Sequence, residues 1–143
     1  MTSTRERINP MTTQKGRAGF TLIELLIVVV IIGLLSAIAI PKFAATKTQA
    51  YVAQMKGDLR NLATAQEAYE ANGGGYYGGA LPSAALVYSP SPGIVVTIAY
   101  ATLTGWGALA SAPGLTTRTC ALFRGNGAAV APAAAEGQIT CSP

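Results

Sequence analysis

The chain has no histidine, and only two of its 143 residues are cysteine. Without an imidazole, neither a Ser-His-Asp nor a Cys-His nucleophile system can be built, and a metal site lacks its commonest nitrogen ligand. Acidic residues number six in all. From residue 71 to the end the charged side chains are Arg118, Arg124 and Glu136. That stretch offers one carboxylate where paired acid–base chemistry needs two. No glycine-rich turn precedes a helical stretch as a phosphate cradle does; Gly73-Gly74-Gly75 follows one. The sequence therefore reads as a non-enzyme, with no catalytic, cofactor-binding or metal-binding residue expected.

Charge is scarce and unevenly placed. The formal net charge of +4 is concentrated at the start, where Arg5, Arg7, Lys15 and Arg17 stand against Glu6. After residue 19 there are six basic and five acidic side chains. The basic pI is thus largely a property of the first 19 residues, and no nucleic-acid partner is expected for the rest.

Hydrophobicity, by contrast, is abundant. Residues 20–40, FTLIELLIVVVIIGLLSAIAI, contain a single charge, Glu24. As a helix they rise roughly 30 Å at ~1.5 Å per residue, enough to cross a bilayer core. Leu, Ile and Val leave no polar face, so this is a membrane segment and not one side of a soluble bundle. A carboxylate inside such a run costs roughly 2.5–3.5 kcal/mol on the lenient insertion scale. Either Glu24 sits near enough to the helix start to reach the headgroup zone and the positive end of the helix dipole, or it has a partner.

Gly19 followed by Phe20-Thr21-Leu22-Ile23-Glu24, with a basic leader before and about 20 apolar residues after, resembles the class III signal of type IV pilins and related pseudopilins. The resemblance implies cleavage between Gly19 and Phe20 by a prepilin peptidase and N-methylation of Phe20. Residues 1–19 would be a cleaved leader that keeps its basic end on the cytoplasmic side. Met11 offers a second start and a nine-residue leader. Residues 20–41 would be the transmembrane and filament-core half of a helix, and residues 42–143 a periplasmic or extracellular head. Glu24 would pair with the methylated amine of a neighbour's Phe20, giving the buried carboxylate a partner and penalising wrong registers. Gly33 and Pro41 bracket a stretch where the helix is weakened or kinked. The partners implied are identical subunits, the prepilin peptidase, the inner membrane before assembly and the assembly machinery. The implied product is a pilus filament at the cell surface. A pseudopilin of a type II secretion system is the first alternative, although such subunits typically carry an acidic calcium loop near the C-terminus, where Glu136 stands alone. A minor pilin that tethers DNA or a surface is the second; Arg118 and Arg124 would make only a thin basic patch for it.

The head reads as α+β: the amphipathic second half of the long helix against a three- or four-stranded antiparallel sheet. Val52, Met55, Leu59, Leu62, Gln66 and Tyr69 recur at spacings of three and four and make one stripe, while Lys56, Asp58, Arg60 and Glu67 fall outside it. Asn72 and the three glycines stop the helix near residue 72. Residues 73–93, with six Gly and three Pro, form a long loop in which Tyr76, Tyr77 and Tyr88 are expected to be partly exposed. Strands are predicted over 94–101, 105–110, 116–123 and 138–141, with Trp106 as a packed residue. On the exported side of a membrane, Cys120 and Cys141 read as a disulfide; two free thiols are the other reading.

Overall fold

The computed structural model describes residues 19–115 and 117–143. The basic leader, with Arg5, Arg7, Lys15, Arg17 and the second Met11, lies outside them except for Gly19, as does Thr116. The chain divides into two compact units, the first ending at Ala39 and the second spanning Ile40–Pro143.

One helix, α1 (Leu22–Glu70), supplies the first unit and begins the second. It passes Gly33 and Pro41 without a break. After Pro41 the sequence is rich in Ala, Gln and Lys, which lose little side-chain freedom in a helix. The end is chemically marked: Asn72 Nδ2 donates to the Ala68 carbonyl at 2.7 Å, and Gly74, at φ 85°, takes the left-handed conformation that closes a helix.

In the second unit the head is a four-stranded antiparallel sheet in chain order, β1 (Val95–Ala101), β2 (Gly105–Ser111), β3 (Thr119–Gly125) and β4 (Thr140–Cys141). Residues alternate between its two faces. On one face Trp106, Ala108, Ala110, Cys120 and Leu122 meet Met55, Leu59 and Leu62 of the helix, and all are buried. Small β2 residues let the helix lie close, and Trp106 fills what remains, with no surface exposed. Burying each of the three large helix side chains contributes about 1.5–3 kcal/mol. The other face is covered too: Ala121 and Phe123 pack with Ala133, Val130 and Tyr100. Gly107 is obligatory on that face, because Tyr100 and Val130 occupy the space its side chain would need.

Several expectations are corrected. The third strand begins at Thr119, because Arg118 N–H closes a turn onto the Leu115 carbonyl at 3.2 Å. The fourth is only two residues long, since Gln138 turns back onto Ala135. Asp58, placed among the solvated residues by its position off the stripe, is buried at 3% exposure. Tyr88, expected to be partly exposed, is buried because its loop folds back onto the helix. The stripe itself fades at its end, where Tyr69 is 38% exposed and meets Tyr77 edge-on at 5.5 Å.

Two polar helix residues explain how an uncharged 21-residue loop is fixed. Gln66, with no exposed surface, donates from Nε2 to the Tyr77 carbonyl and accepts the Tyr77 N–H on Oε1, both at 2.8 Å. Its amide thereby imitates a strand neighbour, satisfying both backbone groups of one residue. Asp58 accepts the Ser91 N–H at 3.1 Å and the Ser91 hydroxyl at 2.8 Å. These clasps hold the loop near its beginning and near its end.

Candidate functional site

The residues singled out by sequence fall into two places, one in each unit. At the start of α1, Gly19, Phe20 and Thr21 precede the first helical residue. Thr21 and Glu24 form a reciprocal cap. Thr21 N–H and Thr21 Oγ1–H both donate to Glu24 Oε2 at 2.8 Å, and Glu24 N–H approaches Thr21 Oγ1 at 3.3 Å. This is a capping box, in which two orphan amides of the helix start are satisfied by side chains three residues apart. The Thr-x-x-Glu spacing ahead of an apolar run is legible in the sequence and carries this reading directly. The box engages Oε2 alone; Glu24 Oε1 has no hydrogen-bond partner among the described residues.

Behind the cap the helix surface is apolar and bare. Phe20 is 83% exposed, and Leu22, Ile23, Leu25 and Leu26 are all more than half exposed. The helix is long and apolar enough to cross a membrane, and its most apolar stretch has no buried residue among the described ones. A soluble surface does not expose a continuous apolar patch of this size. The segment therefore requires lipid or other helices around it. Gly33 adds no contact, since a side chain there would meet nothing.

In the head, the Cys120 and Cys141 sulfurs are bonded, closing a loop of sequence separation 21. The two residues are register partners of β3 and β4, so the bridge staples the shortest strand to the sheet. Arg118 and Arg124 do not converge into a patch. Arg124 Nη1 is drawn to Glu67 Oε1 at 3.2 Å, the one ion pair among the described residues. Its neighbours are instead Lys56 and Arg60, which line the same open groove of about 480 Å³ between the helix and the β3–β4 side. The sequence did not suggest this grouping, because 64 residues separate Arg60 from Arg124. Glu136 accepts the Gly125 N–H at 2.7 Å, and no group of three potential metal ligands occurs among the described residues.

Comparison with known proteins bears on the first of these places. Residues 14–40 match the family model of the prokaryotic N-terminal methylation motif. Over 57 residues the chain is 40% identical to the type II secretion system core protein G of Pseudomonas aeruginosa, covering 40% of each chain. Over 51 residues it is 51% identical to the type IV major pilin protein PilA of Myxococcus xanthus, covering 36% of this chain and 23% of that one. Over 53 residues it is 47% identical to a fimbrial protein of Pseudomonas aeruginosa, covering 37% and 34%. The chain thus matches well under half the length of these curated relatives.

Proposed function

We propose that this chain is a type IV pilin-like protein, a reading supported by the match of residues 14–40 to the N-terminal methylation motif, and that it is the structural subunit of a pilus-like filament. The observation that carries the reading is the bare apolar helix headed by one carboxylate. A plain anchor gains the Thr21 cap from Glu24 Oε2 but nothing from the Oε1 that the cap leaves over. A filament subunit does, because the acid can be matched by a charge that only a correctly placed neighbour brings. The leader is removed between Gly19 and Phe20, Phe20 is N-methylated, and the subunit waits in the inner membrane held by residues 20–41. On assembly, the apolar helices bundle. Thr21 holds Glu24 Oε2, and Oε1 receives the amine of a neighbouring Phe20. Gly33 and Pro41 supply the weak points at which the helix can bend as copies pack.

A pseudopilin role is the second reading, favoured by the similarity to a secretion-system core protein. Against it, Glu136 is the sole carboxylate from residue 71 onward, too few oxygen ligands for an acidic calcium loop.

Glu24→Ala separates anchoring from assembly. Loss of the carboxylate leaves membrane insertion unchanged or slightly better. In the bundle it leaves an unpaired amine, and breaking a buried pair on one side costs about 3–5 kcal/mol at every subunit added. Processed, membrane-resident subunit with few or no surface filaments is expected. Wild-type filament yield from the variant, with mass spectrometry showing a methylated Phe20 terminus, would refute the pairing.

A further inference from the structure

The charges on the head half of α1 are segregated along its length in a way that a lone helix does not favour. Lys56 and Arg60 stand four apart with like sign, and Glu67 and Glu70 three apart with like sign. Side chains at these spacings are neighbours, so each pair repels itself, whereas interleaved signs would attract. The head resolves part of this conflict internally. Glu67 takes Arg124, Asp58 is buried on Ser91, and Glu136 takes the Gly125 amide. Among the described residues that leaves one head carboxylate side chain with neither a hydrogen-bond nor an ion-pair partner, Glu70, and it is exposed. It also leaves two cations of the open groove, Lys56 and Arg60, with no carboxylate in ion-pair range.

These two remainders are opposite in sign and cannot meet within one chain. Glu70 lies ten residues beyond Arg60 and fourteen beyond Lys56, which is about 15 and 21 Å along a helix. A second copy lying parallel and displaced along the axis brings them level. Allowing for side-chain length, the displacement that serves Arg60 is roughly 10–20 Å. We propose that Lys56 and Arg60 of one copy form an electrostatic docking surface for Glu70 of an axially staggered second copy, with Arg60 as the principal partner. This rests on the filament reading and adds to it a second register-setting contact, remote from Glu24 and located in the heads. The segregated pattern favours staggered parallel packing and disfavours alignment in register, where like charges would face each other.

The test uses the full-length chain and its assembled filaments. Arg60→Glu and Glu70→Lys are made singly and together, and subunit processing and membrane level are measured alongside sheared filament yield. Each single reversal places like charges across the contact and should lower yield at least fivefold at normal subunit level. The double exchange should restore yield to within about twofold, and the single defects should shrink as salt rises, since exposed charge pairs are screened. Single variants that assemble like wild type, at any salt, overturn the inference and leave the filament reading standing. So does a double exchange that fails to recover although its subunit is processed and folded, because the groove would then serve some other anion. A wild-type chain that is processed but never polymerises overturns the filament reading, and this contact with it.

Discussion

Replacing Gln66 by Met isolates the contribution of one amide to the head. Met fills nearly the same volume but offers neither donor nor acceptor of useful strength. The Tyr77 N–H and C=O, each now bonded to Gln66 at 2.8 Å, are left without that partner. An abandoned, partly buried backbone group costs about 1–3 kcal/mol, and there are two. The thioether is more readily buried than an amide, which offsets roughly 1 kcal/mol at ~0.8 kcal/mol per methylene equivalent. The expected net loss is about 1–5 kcal/mol, a large share of the stability of a small domain. Urea unfolding of the full chain in detergent, followed through the fluorescence of buried Trp106, reads this as a shift in midpoint at constant slope. Hydrogen exchange locates it: the Tyr77 amide should lose protection while the β2–β3 ladder keeps most of its own. A stability change below about 0.5 kcal/mol, with Tyr77 as protected as in wild type, would show that the loop is held by its apolar contacts and not by the amide.

The other predictions concern the sheet edge and the loop's far end. Alkylation of the exported protein without reductant should label neither Cys120 nor Cys141; paired Ser substitutions should cost about 3 kcal/mol by loop-closure entropy and raise hydrogen exchange across 119–142 before the helix responds. Burial pushes the Tyr88 phenol well above its ordinary pKa, and the nearby Asp58 carboxylate pushes it the same way. A phenol whose folded pKa is raised contributes stability that is complete below its unfolded value near 10 and declines as pH climbs beyond it. Alkaline unfolding monitored to pH 11 should therefore weaken the head, and Tyr88→Phe should flatten that decline. At pH 7 the same variant should be no less stable than wild type, since the buried Tyr88 hydroxyl has no hydrogen-bond partner among the described residues to lose. A Tyr88→Phe head that unfolds with an unchanged alkaline slope would assign the decline to Tyr76 or Tyr100, whose phenols burial also raises.

What the sequence made legible was whatever repeats or runs. The apolar segment, the stripe Met55-Leu59-Leu62-Gln66, the helix stop expected near residue 72 and found at Glu70, and the β2 strand around Trp106 each announce themselves through period, length or glycine, and the structure has them. What stayed hidden depends on residues far apart in the chain. Asp58 looked solvated because helix periodicity says only which face a residue is on. Whether water reaches that face was decided by Ser91, 33 positions away. Tyr88 was buried by the same fold-back. Residues 128–135, alanine and proline apart from Val130, carry no helix or strand pattern, yet Val130 and Ala133 cover the second face of the sheet. No local pattern predicts that, because alanine and proline fit a loop and a lid equally well. The Lys56–Arg60–Arg124 groove was missed for the same reason, the grouping being made by strand register and not by sequence distance.

The Thr21–Glu24 cap changes how the carboxylate at the head of the apolar run should be understood. Tolerance by a helix start and pairing with a neighbour were competing explanations of one residue. Their geometry makes them compatible. The cap uses Glu24 Oε2 and ties down orphan amides that would otherwise face lipid. In the proposed filament subunit, an unassembled copy would thus sit in the membrane with its acid locally satisfied, needing no partner before assembly. The cap also fixes the carboxylate's orientation and leaves Oε1 without a partner among the described residues. A preoriented acceptor loses less freedom on meeting a cation than a mobile one does. On this argument Thr21 is a positioning residue. Thr21→Val removes the hydroxyl but keeps the backbone N–H, so one of the two bonds to Oε2 survives. Its filament defect should be milder than that of Glu24→Ala, and Thr21→Ser, which restores the hydroxyl, should assemble as wild type does. If Thr21→Val assembles as wild type does while Thr21→Ser fails, the methyl group matters and the cap is not what orients the acid.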